Sequence, residues 1–453
     1  MEQERIVRAA LAARNIVFSD DVAVNLYPFM LTYTDGRVER LLTSSYVPAS
    51  EDAGGIGRVA TRDVVVDRAT GVSARLFLPS AAAAGGKRRL PVVLYFHGGS
   101  FITESALCRT YHRYATSLAS RAGAIVVSVE YRLAPEHPVP AAYDDAWAAF
   151  RWLASASESD PWLAEHGDLG RTFVAGDSAG GNIAYHTVAR AGRENGDGAI
   201  GVQGLIMVHP FFWGPERLPS ENVWNGVSVF PAFGVDWLWP FVTAGEAGND
   251  DRRINPTDDE LASLSSSCGR VLMAVAGKDT LCHRNQHLAA RMRGAGGDVT
   301  VVESDGEDHG FHLYSPLRAT SKKLMESIVQ FINQPAPAPP LRWPATIMSE
   351  LQEWSTHGDV DDTTNSSSQI LLGVPTRAYK AIFVDRLDKK SKAGSSSSNT
   401  AVSASLNIGS GGRAPTSTSF GIPFGRIRAY NYRGISAASA SQCQRPFRGG
   451  VPW

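Results

Sequence analysis

Short apolar runs recur along the first three-quarters of the chain, and several are apolar throughout instead of alternating with polar residues. That pattern is typical of strands buried on both faces of a sheet. The runs are DVVVD (63–67), ARLFLP (74–79), LPVVLYF (90–96), AIVVSVEY (124–131), RTFVAG (171–176), GLIMVHP (204–210), VLMAVAG (271–277) and VTVVES (299–304).

Helix-like stretches lie between the later runs, at 109–121, 140–154, 179–192, 284–295 and 317–333. Strands that alternate with helices predict an α/β fold, with a mostly parallel central sheet flanked by helices. Only RATGVS separates the first two runs, which predicts a hairpin leading into the parallel part of the sheet.

Residues 211–260 interrupt this alternation. Four tryptophans occur there among prolines and glycines without a sheet pattern: Trp213, Trp224, Trp237 and Trp239. Two interpretations stay open, a small cap that crosses the edge of the sheet and an aromatic packing loop.

The character of the chain changes after Gln334. PAPAPP (335–340) is typical of a stiff, extended linker, and a Ser/Thr/Gly-rich run with a basic, Gly/Arg-rich end follows it. The composition predicts one domain over residues 1–335 and a disordered, low-complexity tail over 336–453. The tail is expected to be dispensable.

The composition also limits the partners. The chain of 453 residues is 43% hydrophobic with a formal net charge of -1, so no basic excess points to nucleic acid or an anionic membrane. No apolar run reaches the ~20 residues of a membrane span. The scattered cysteines fit neither a disulfide framework nor a zinc site, and they predict reduced thiols in a cytoplasmic protein: Cys108, Cys268, Cys282 and Cys443.

The sequence GDSAG (176–180) matches G-x-S-x-G and comes directly after an apolar strand pattern. A helix-like stretch follows it, and strand, sharp turn and helix are the context of a nucleophile elbow. Gly176 and Gly180 fit such a turn because neighbouring backbones come too close for side chains. Ser178 is therefore predicted to be a nucleophile, exposed at the tip of the turn.

A serine nucleophile also needs donors for the oxyanion that forms on its substrate. HGGS (97–100) ends the strand VVLYF, and its paired glycines predict bare amides that turn into the site. The predicted oxyanion hole consists of the amides of Gly98, Gly99 and Ala179. His97 is expected to orient this loop rather than take part in the chemistry.

In this kind of fold the acid and then the histidine follow the serine along the chain. His309 lies in the loop after VTVVES, where catalytic residues gather at strand ends, and it is preferred over His312. Asp279 lies just beyond VLMAVAG and is preferred over Asp305 as the acid. His309 would deprotonate Ser178, and Asp279 would hold the imidazole.

With these residues in place, the chain resembles the α/β-hydrolase fold and, more narrowly, the plant carboxylesterases of the hormone-sensitive-lipase type. The resemblance implies hydrolysis of small, partly apolar esters, and no pattern calls for a metal or an organic cofactor. It covers roughly residues 20–333 and rests on YTDGRVERLL (33–42), FHGGSF (96–101), EYRLAPEHPVPAAYDDAWAAFRWL (130–153), HGDLGRTFVAGDSAGGNIAYH (166–186), AGKDTL (276–281) and DHGFHL (308–313).

The chain is also similar to relatives of these esterases that have other functions, namely hormone binding, elimination of water and conversion of tuliposides. In gibberellin receptors the position matching His309 is apolar, so an intact His309 argues against a receptor. The 2-hydroxyisoflavanone dehydratases use similar machinery for elimination, some with threonine at the position of Ser178, and tuliposide-converting enzymes share the triad. A serine carboxylesterase is the preferred function, a dehydratase-like lyase is the alternative, and a hormone receptor ranks third.

The resemblance further implies that residues 1–30 fold over the pocket as a lid. Ser100 stands where glycine is common in the family and adds a side chain beside the oxyanion hole. The residues expected to bind the ester substrate are Ser100, Phe101, Asp177, Phe212 and Trp213. The oligomeric state is not set by any of these patterns.

Overall fold

The structure is a computed structural model. The predicted tail lies outside the residues that it describes, and so do residues 1–20 and 27–28 of the predicted lid. Both assignments therefore stay predictions. The described residues are 21–26, 29–52, 59–80, 89–194, 200–222 and 231–335.

The described chain begins with a small antiparallel sheet that the apolar pattern did not predict. Its strands are β1 (Val22–Leu26), β2 (Met30–Tyr33) and β3 (Val38–Arg40), paired in that order. The carboxyl end of the predicted lid thus forms strand. These strands are short and half-buried, so they lack the continuous apolar run that marks the central strands.

The core is an eight-stranded sheet with the order β11-β10-β9-β8-β6-β7-β5-β4. Only β5 runs against its neighbours, and all other adjacent pairs are parallel. The predicted hairpin is β4 and β5, and the mostly parallel sheet is confirmed. The strands are β4 (Val59–Asp67), β5 (Val72–Pro79), β6 (Leu90–Phe96), β7 (Ile125–Glu130), β8 (Gly167–Asp177), β9 (Val202–Val208), β10 (Val271–Ala276) and β11 (Val299–Ser304).

Helices cover both faces of this sheet, as an α/β fold requires. The described helices are α1 (Arg109–Ala122), α2 (Pro140–Ser159), α3 (Pro161–His166), α4 (Ala179–Glu194), α5 (Ala232–Val242), α6 (Asp258–Ser267), α7 (Cys282–Gly294), α8 (Phe311–Tyr314) and α9 (Ala319–Asn333). Helices α1, α8 and α9 share one hydrophobic core with the sheet, whereas α2, α4, α5, α6 and α7 share the other. None of the helices in the described ranges is long and apolar enough to cross a membrane.

Four of these helices were not predicted from the sequence, namely α3, α5, α6 and α8. Helix α6 has the sequence DDELASLSSS, whose hydroxyl side chains hide the helical period. A capping box defines its start, since Thr257 accepts from the amide of Glu260 while Glu260 reaches back to the amide of Thr257. Helix α5 lies inside the predicted cap segment, and its residues Val235, Leu238 and Trp239 are buried in the main core.

Candidate active site

Ser178 sits between β8 and α4 with φ of 52°, in the left-handed region. A non-glycine residue adopts this conformation only under strain. A Cβ atom on Gly176 would lie 2.2 Å from the carbonyl oxygen of Gly180, and one on Gly180 would lie 2.0 Å from that of Phe96. Both glycines are therefore required by close backbone approach, and the turn raises Ser178 at the carboxyl end of the strand.

Two other parallel strands end beside this serine and bring His309 and Asp279 to it. His309 Nε2 lies 2.9 Å from Ser178 Oγ, and His309 Nδ1 lies 2.8 Å from Asp279 Oδ2. Asp279 Oδ1 accepts a further bond from the amide of Leu281 at 3.0 Å. The serine, imidazole and carboxylate thus form one continuous chain of hydrogen bonds.

The surroundings of His309 stabilise the protonated form of its imidazole. Burial by itself lowers the pKa of His309, but the charge and hydrogen bond of Asp279 outweigh it and the pKa is raised. Burial by itself raises the pKa of Asp279, because it disfavours the charged carboxylate. The interaction with His309 outweighs burial and lowers this pKa, so the carboxyl stays ionised. A base that gains a proton beside a fixed negative charge is what nucleophile activation needs.

The two competing residues lie elsewhere. His312 is buried and packs edge-on against Tyr114 at 5.3 Å between ring centroids. Burial lowers its pKa to about 3, which leaves it neutral. Asp279, not Asp305, accepts from His309.

The loop 97–100, called the oxyanion loop below, requires a correction to the predicted donors. The N–H of Gly98 already donates to the hydroxyl of Tyr111 at 2.8 Å and to Asp177 Oδ1 at 3.1 Å. It is therefore not free for an oxyanion, and the prediction for Gly98 is wrong. Its glycine is required for a different reason, because a Cβ atom there would lie 2.4 Å from Asp177 Oδ2.

Three other amides in and next to the oxyanion loop and the turn at Ser178 have no hydrogen-bond acceptor within the part of the chain that the structure describes. Among the described residues, none accepts a hydrogen bond from the N–H of Gly99, Ser100 or Ala179. Gly99 has φ of 108°, and a Cβ atom there would lie 2.1 Å from the carbonyl oxygen of Thr103. The amides of Gly99 and Ala179 are thus available as donors, and that of Ser100 is a further available donor in the same loop.

Asp177 holds this loop in place through hydrogen bonds and does not face a substrate. Its carboxylate is buried and accepts from the hydroxyls of Tyr95 at 2.6 Å and Tyr111 at 2.8 Å, besides the amide of Gly98. Burial raises its pKa, and the two phenol bonds oppose that shift only in part. The prediction that Asp177 binds substrate is corrected, because its oxygens are occupied by protein donors.

His97 packs into the same support. Its ring stacks on Tyr131 at 4.3 Å between centroids, and Nδ1 lies 2.7 Å from the carbonyl oxygen of Gly98. Burial lowers its pKa to about 4, so it is a neutral packing residue beside the loop, away from Ser178's hydrogen-bond chain.

The other residues predicted to bind substrate divide into two groups. Phe101 follows Ser100 in the loop, and its ring contacts those of Phe211 and Trp239 at 5.9 and 5.8 Å between centroids. Phe212 and Trp213 instead contact side chains other than those of the oxyanion loop.

Phe212 packs edge-on against Tyr185, whereas the indole N–H of Trp213 donates to Asp236 at 2.8 Å. Arg284 lies over the Trp213 ring at 4.6 Å. Phe101, Phe211 and Trp239 therefore form an aromatic cluster that adjoins the oxyanion loop.

His209 is a site residue that the sequence analysis missed. It follows β9 with φ of 48°, and its ring lies 5.7 Å from that of His309. His209, Asp279 and His309 place potential metal-donor atoms within 4.8 Å of one another, and a hydrogen bond joins two of the three, Asp279 and His309. Its position at a strand end, like that of Ser178, was the available signal.

A family model described as alpha/beta hydrolase fold matches residues 93–313. The chain is 39% identical over 330 residues to the amyloplastic tuliposide A-converting enzyme b3 of Tulipa gesneriana, covering 72% of this chain and 83% of that enzyme. It is 38% identical to 2-hydroxyisoflavanone dehydratase of Glycyrrhiza echinata, covering 69% of this chain and 97% of the relative. Probable carboxylesterase 5 of Arabidopsis thaliana is also 38% identical, with 69% and 98% covered.

Solved structures with this fold include esterases. The carboxylesterase EstE1, cloned from a metagenomic library, is 27% identical and superposes with a TM-score of 0.52 over 61% of this chain and 90% of its own.

Proposed function

The chain belongs to the α/β-hydrolase fold family of the plant carboxylesterases, and from this premise we propose that it is a serine carboxylesterase acting on small, partly apolar esters. One observation carries the proposal: His309 lies within hydrogen-bonding distance of both Ser178 Oγ and Asp279 Oδ2.

In the first half-reaction, Ser178 Oγ attacks the acyl carbon of the ester while its proton moves to His309 Nε2. Asp279 stabilises the imidazolium that forms and keeps Nδ1 protonated. The negative charge on the former carbonyl oxygen is taken up by the amides of Gly99, Ser100 and Ala179. Removal of one such donor typically costs about 2.7–4 kcal/mol of transition-state stabilisation.

The tetrahedral intermediate then collapses, and His309 gives its proton to the departing alcohol. Water then loses a proton to His309 and attacks the acyl carbon of acyl-Ser178. As the bond from that carbon to Ser178 Oγ breaks, His309 returns the proton to Oγ, the carboxylic acid leaves and the free serine is restored. Both halves use the same base and the same oxyanion donors, and no cofactor is required.

The ester class follows from the wall of the site. Phe101, Phe211 and Trp239 are almost fully buried and pack against one another next to the oxyanion loop, so the surroundings of the loop are apolar. Apolar surroundings of this kind favour a small apolar acyl or alcohol group. The names of two relatives, a probable carboxylesterase and a carboxylesterase, support ester hydrolysis as the reaction.

Hydrolysis of p-nitrophenyl acetate and butyrate by wild type and Ser178→Ala tests the proposal. We expect kcat to fall by about 10^6-fold in the variant, as for other triad serines, with unchanged circular dichroism. Ser155→Ala, an exposed serine on α2, is the control and should keep full activity. Equal activity in Ser178→Ala and wild type would contradict the proposal.

Elimination of water is a second candidate, favoured by the 38% identity to a 2-hydroxyisoflavanone dehydratase. An elimination needs the base His309 and the oxyanion donors but no acyl-serine. Ser178→Thr keeps a hydroxyl while hindering attack, so it should retain dehydration of 2-hydroxyisoflavanones and lose ester hydrolysis. Absence of dehydration in wild type removes this candidate.

A further inference from the structure

A groove distinct from the proposed active site lies between α1, α9 and the segment 47–52. It encloses about 1220 Å³, and its lining contains none of the residues of the hydrogen-bond chain or the oxyanion loop. Helices α1 and α9 belong to the second hydrophobic core, so the groove opens on one face of the sheet rather than at the edge that holds Ser178.

The floor of this groove is apolar. It is formed mainly by Leu313 of α8 and by Leu324, Met325 and Ile328 of α9. The last three lie at helical spacing, so they form a continuous stripe along the helix. A stripe of this kind fits an extended alkyl chain better than a polar ligand.

The rim is strongly basic, with Arg109, Arg113 and Arg121 on α1 and Lys322 on α9. In the part of the chain that the structure describes, no carboxylate lies within ion-pairing distance of any of these four side chains. The lining includes one acidic residue, Asp52, which has an interaction of its own. The lining of the groove therefore carries a net positive charge.

The two arginines nearest the start of α1 are placed for one anionic group. Arg109 and Arg113 are four residues apart, so their Cα atoms are separated by about 6 Å along one helix face. Guanidinium groups bind carboxylates through paired N–H donors.

A buried polar group in the lining also lacks a partner. His312 is 5% exposed and neither ring nitrogen has a hydrogen-bond partner among the described residues. Buried polar groups are normally satisfied, so His312 is an unsatisfied polar side chain in the wall of the groove.

We propose that this groove binds an amphipathic monocarboxylate, with the carboxylate at Arg109 and Arg113 and the alkyl chain along the stripe of α9. The residues after 335 carry more Lys and Arg than Asp and Glu, so charge disfavours them as the occupant. The site is separate from ester hydrolysis and does not depend on it.

Titration of the full-length chain with dodecanoate, followed by isothermal calorimetry, tests this inference. We expect saturable binding to wild type, weakened at least about tenfold in Arg109→Glu/Arg113→Glu because a charge-assisted pair becomes repulsive. Raising the salt concentration should weaken binding to wild type. The neutral analogue 1-dodecanol should bind both proteins alike.

The matched control is Arg68→Glu/Arg151→Glu, which reverses two exposed arginines outside the groove and should bind dodecanoate like wild type. A gentler variant, Arg109→Gln/Arg113→Gln, repeats the test if the reversed variant melts at a lower temperature. Equal affinity of the wild-type and groove-variant proteins, or no binding to wild type, would overturn the proposal. Binding at the active site instead would leave both groove variants unaffected.

Discussion

Two buried carboxylates, Asp177 and Asp279, flank the candidate nucleophile and differ in the groups that donate hydrogen bonds to them. Asp177 accepts from two phenols and one backbone amide, whereas Asp279 accepts from one backbone amide and the imidazole of His309. Burial raises the pKa of Asp177, while the partner His309 brings that of Asp279 below its usual value. Similar burial thus leads to opposite shifts.

The difference shows that the partner, not the burial, decides what a buried carboxylate does. Phenols and amides stay neutral at all working pH values, so the network of Asp177 holds the oxyanion loop in one position. The imidazole of His309 changes its charge during turnover, so Asp279 acts on a developing cation. We expect substitutions to separate a positioning carboxylate from one that stabilises charge.

The largest effect is expected for Asp279→Asn. The amide still accepts from Leu281 but cannot hold His309 with Nδ1 protonated, and in triads of this kind the loss in kcat is about 10^4-fold. Steady-state hydrolysis of p-nitrophenyl butyrate measures it. A melting temperature close to that of wild type is needed for this interpretation, and a loss under tenfold would remove Asp279 from the proposed machinery.

Asp177→Asn should have a smaller effect on the same assay. Its amide can accept from only one of the two phenols, so the oxyanion loop shifts, and a displacement of about 1 Å typically costs ~10^2-fold in rate. The loss should lie in kcat rather than KM, because the oxyanion forms only in the transition state. A loss as large as that of Asp279→Asn would mean that the two carboxylates are equivalent.

The residues of the site differ in how far the sequence could predict them. Ser178, Asp279 and His309 each follow a strand of a parallel sheet, and such strand ends converge at one edge, so the structure brings the three predicted residues together. That the amide of Gly98 is occupied, unlike those of Gly99 and Ala179, could not be predicted in this way. The orientation of Gly98 depends on Tyr111, whose position is set by packing of α1.

Some helices and strands could not be predicted either, because their burial depends on tertiary contacts. Helix α5 and the strands β1–β3 have no clear apolar period of their own, because tertiary contacts determine their burial. The central strands, by contrast, are buried on both faces and carry that burial in their composition.

The pH dependence of kcat/KM separates the two carboxylates further. Only neutral His309 accepts the proton of Ser178, so activity should fall about tenfold per pH unit below its raised pKa. Asp279→Asn should move this midpoint to lower pH, because burial alone lowers the pKa. Asp177→Asn should move it in the same direction but less, since its charge contributes less to the pKa of His309.

The buried histidines near the site should not obscure the profile. Burial lowers the pKa of His97 to about 4 and that of His312 to about 3, and it lowers that of His209 as well. All three are therefore neutral where His309 titrates. A midpoint that is unchanged in Asp279→Asn would contradict the proposed electrostatic coupling.

The smallest and most selective effect is expected from a matched pair, Tyr111→Phe and Tyr95→Phe. Each variant removes one phenol bond to Asp177 and should lower the free energy of unfolding by about 1–2 kcal/mol. Only Tyr111 also accepts from the amide of Gly98, so only its loss loosens the oxyanion loop. We expect kcat to fall severalfold in Tyr111→Phe and to stay near wild type in Tyr95→Phe, with urea unfolding showing similar stability losses. Equal kcat losses in the two variants would mean that the carboxylate alone, without the tyrosine bridge, positions the loop.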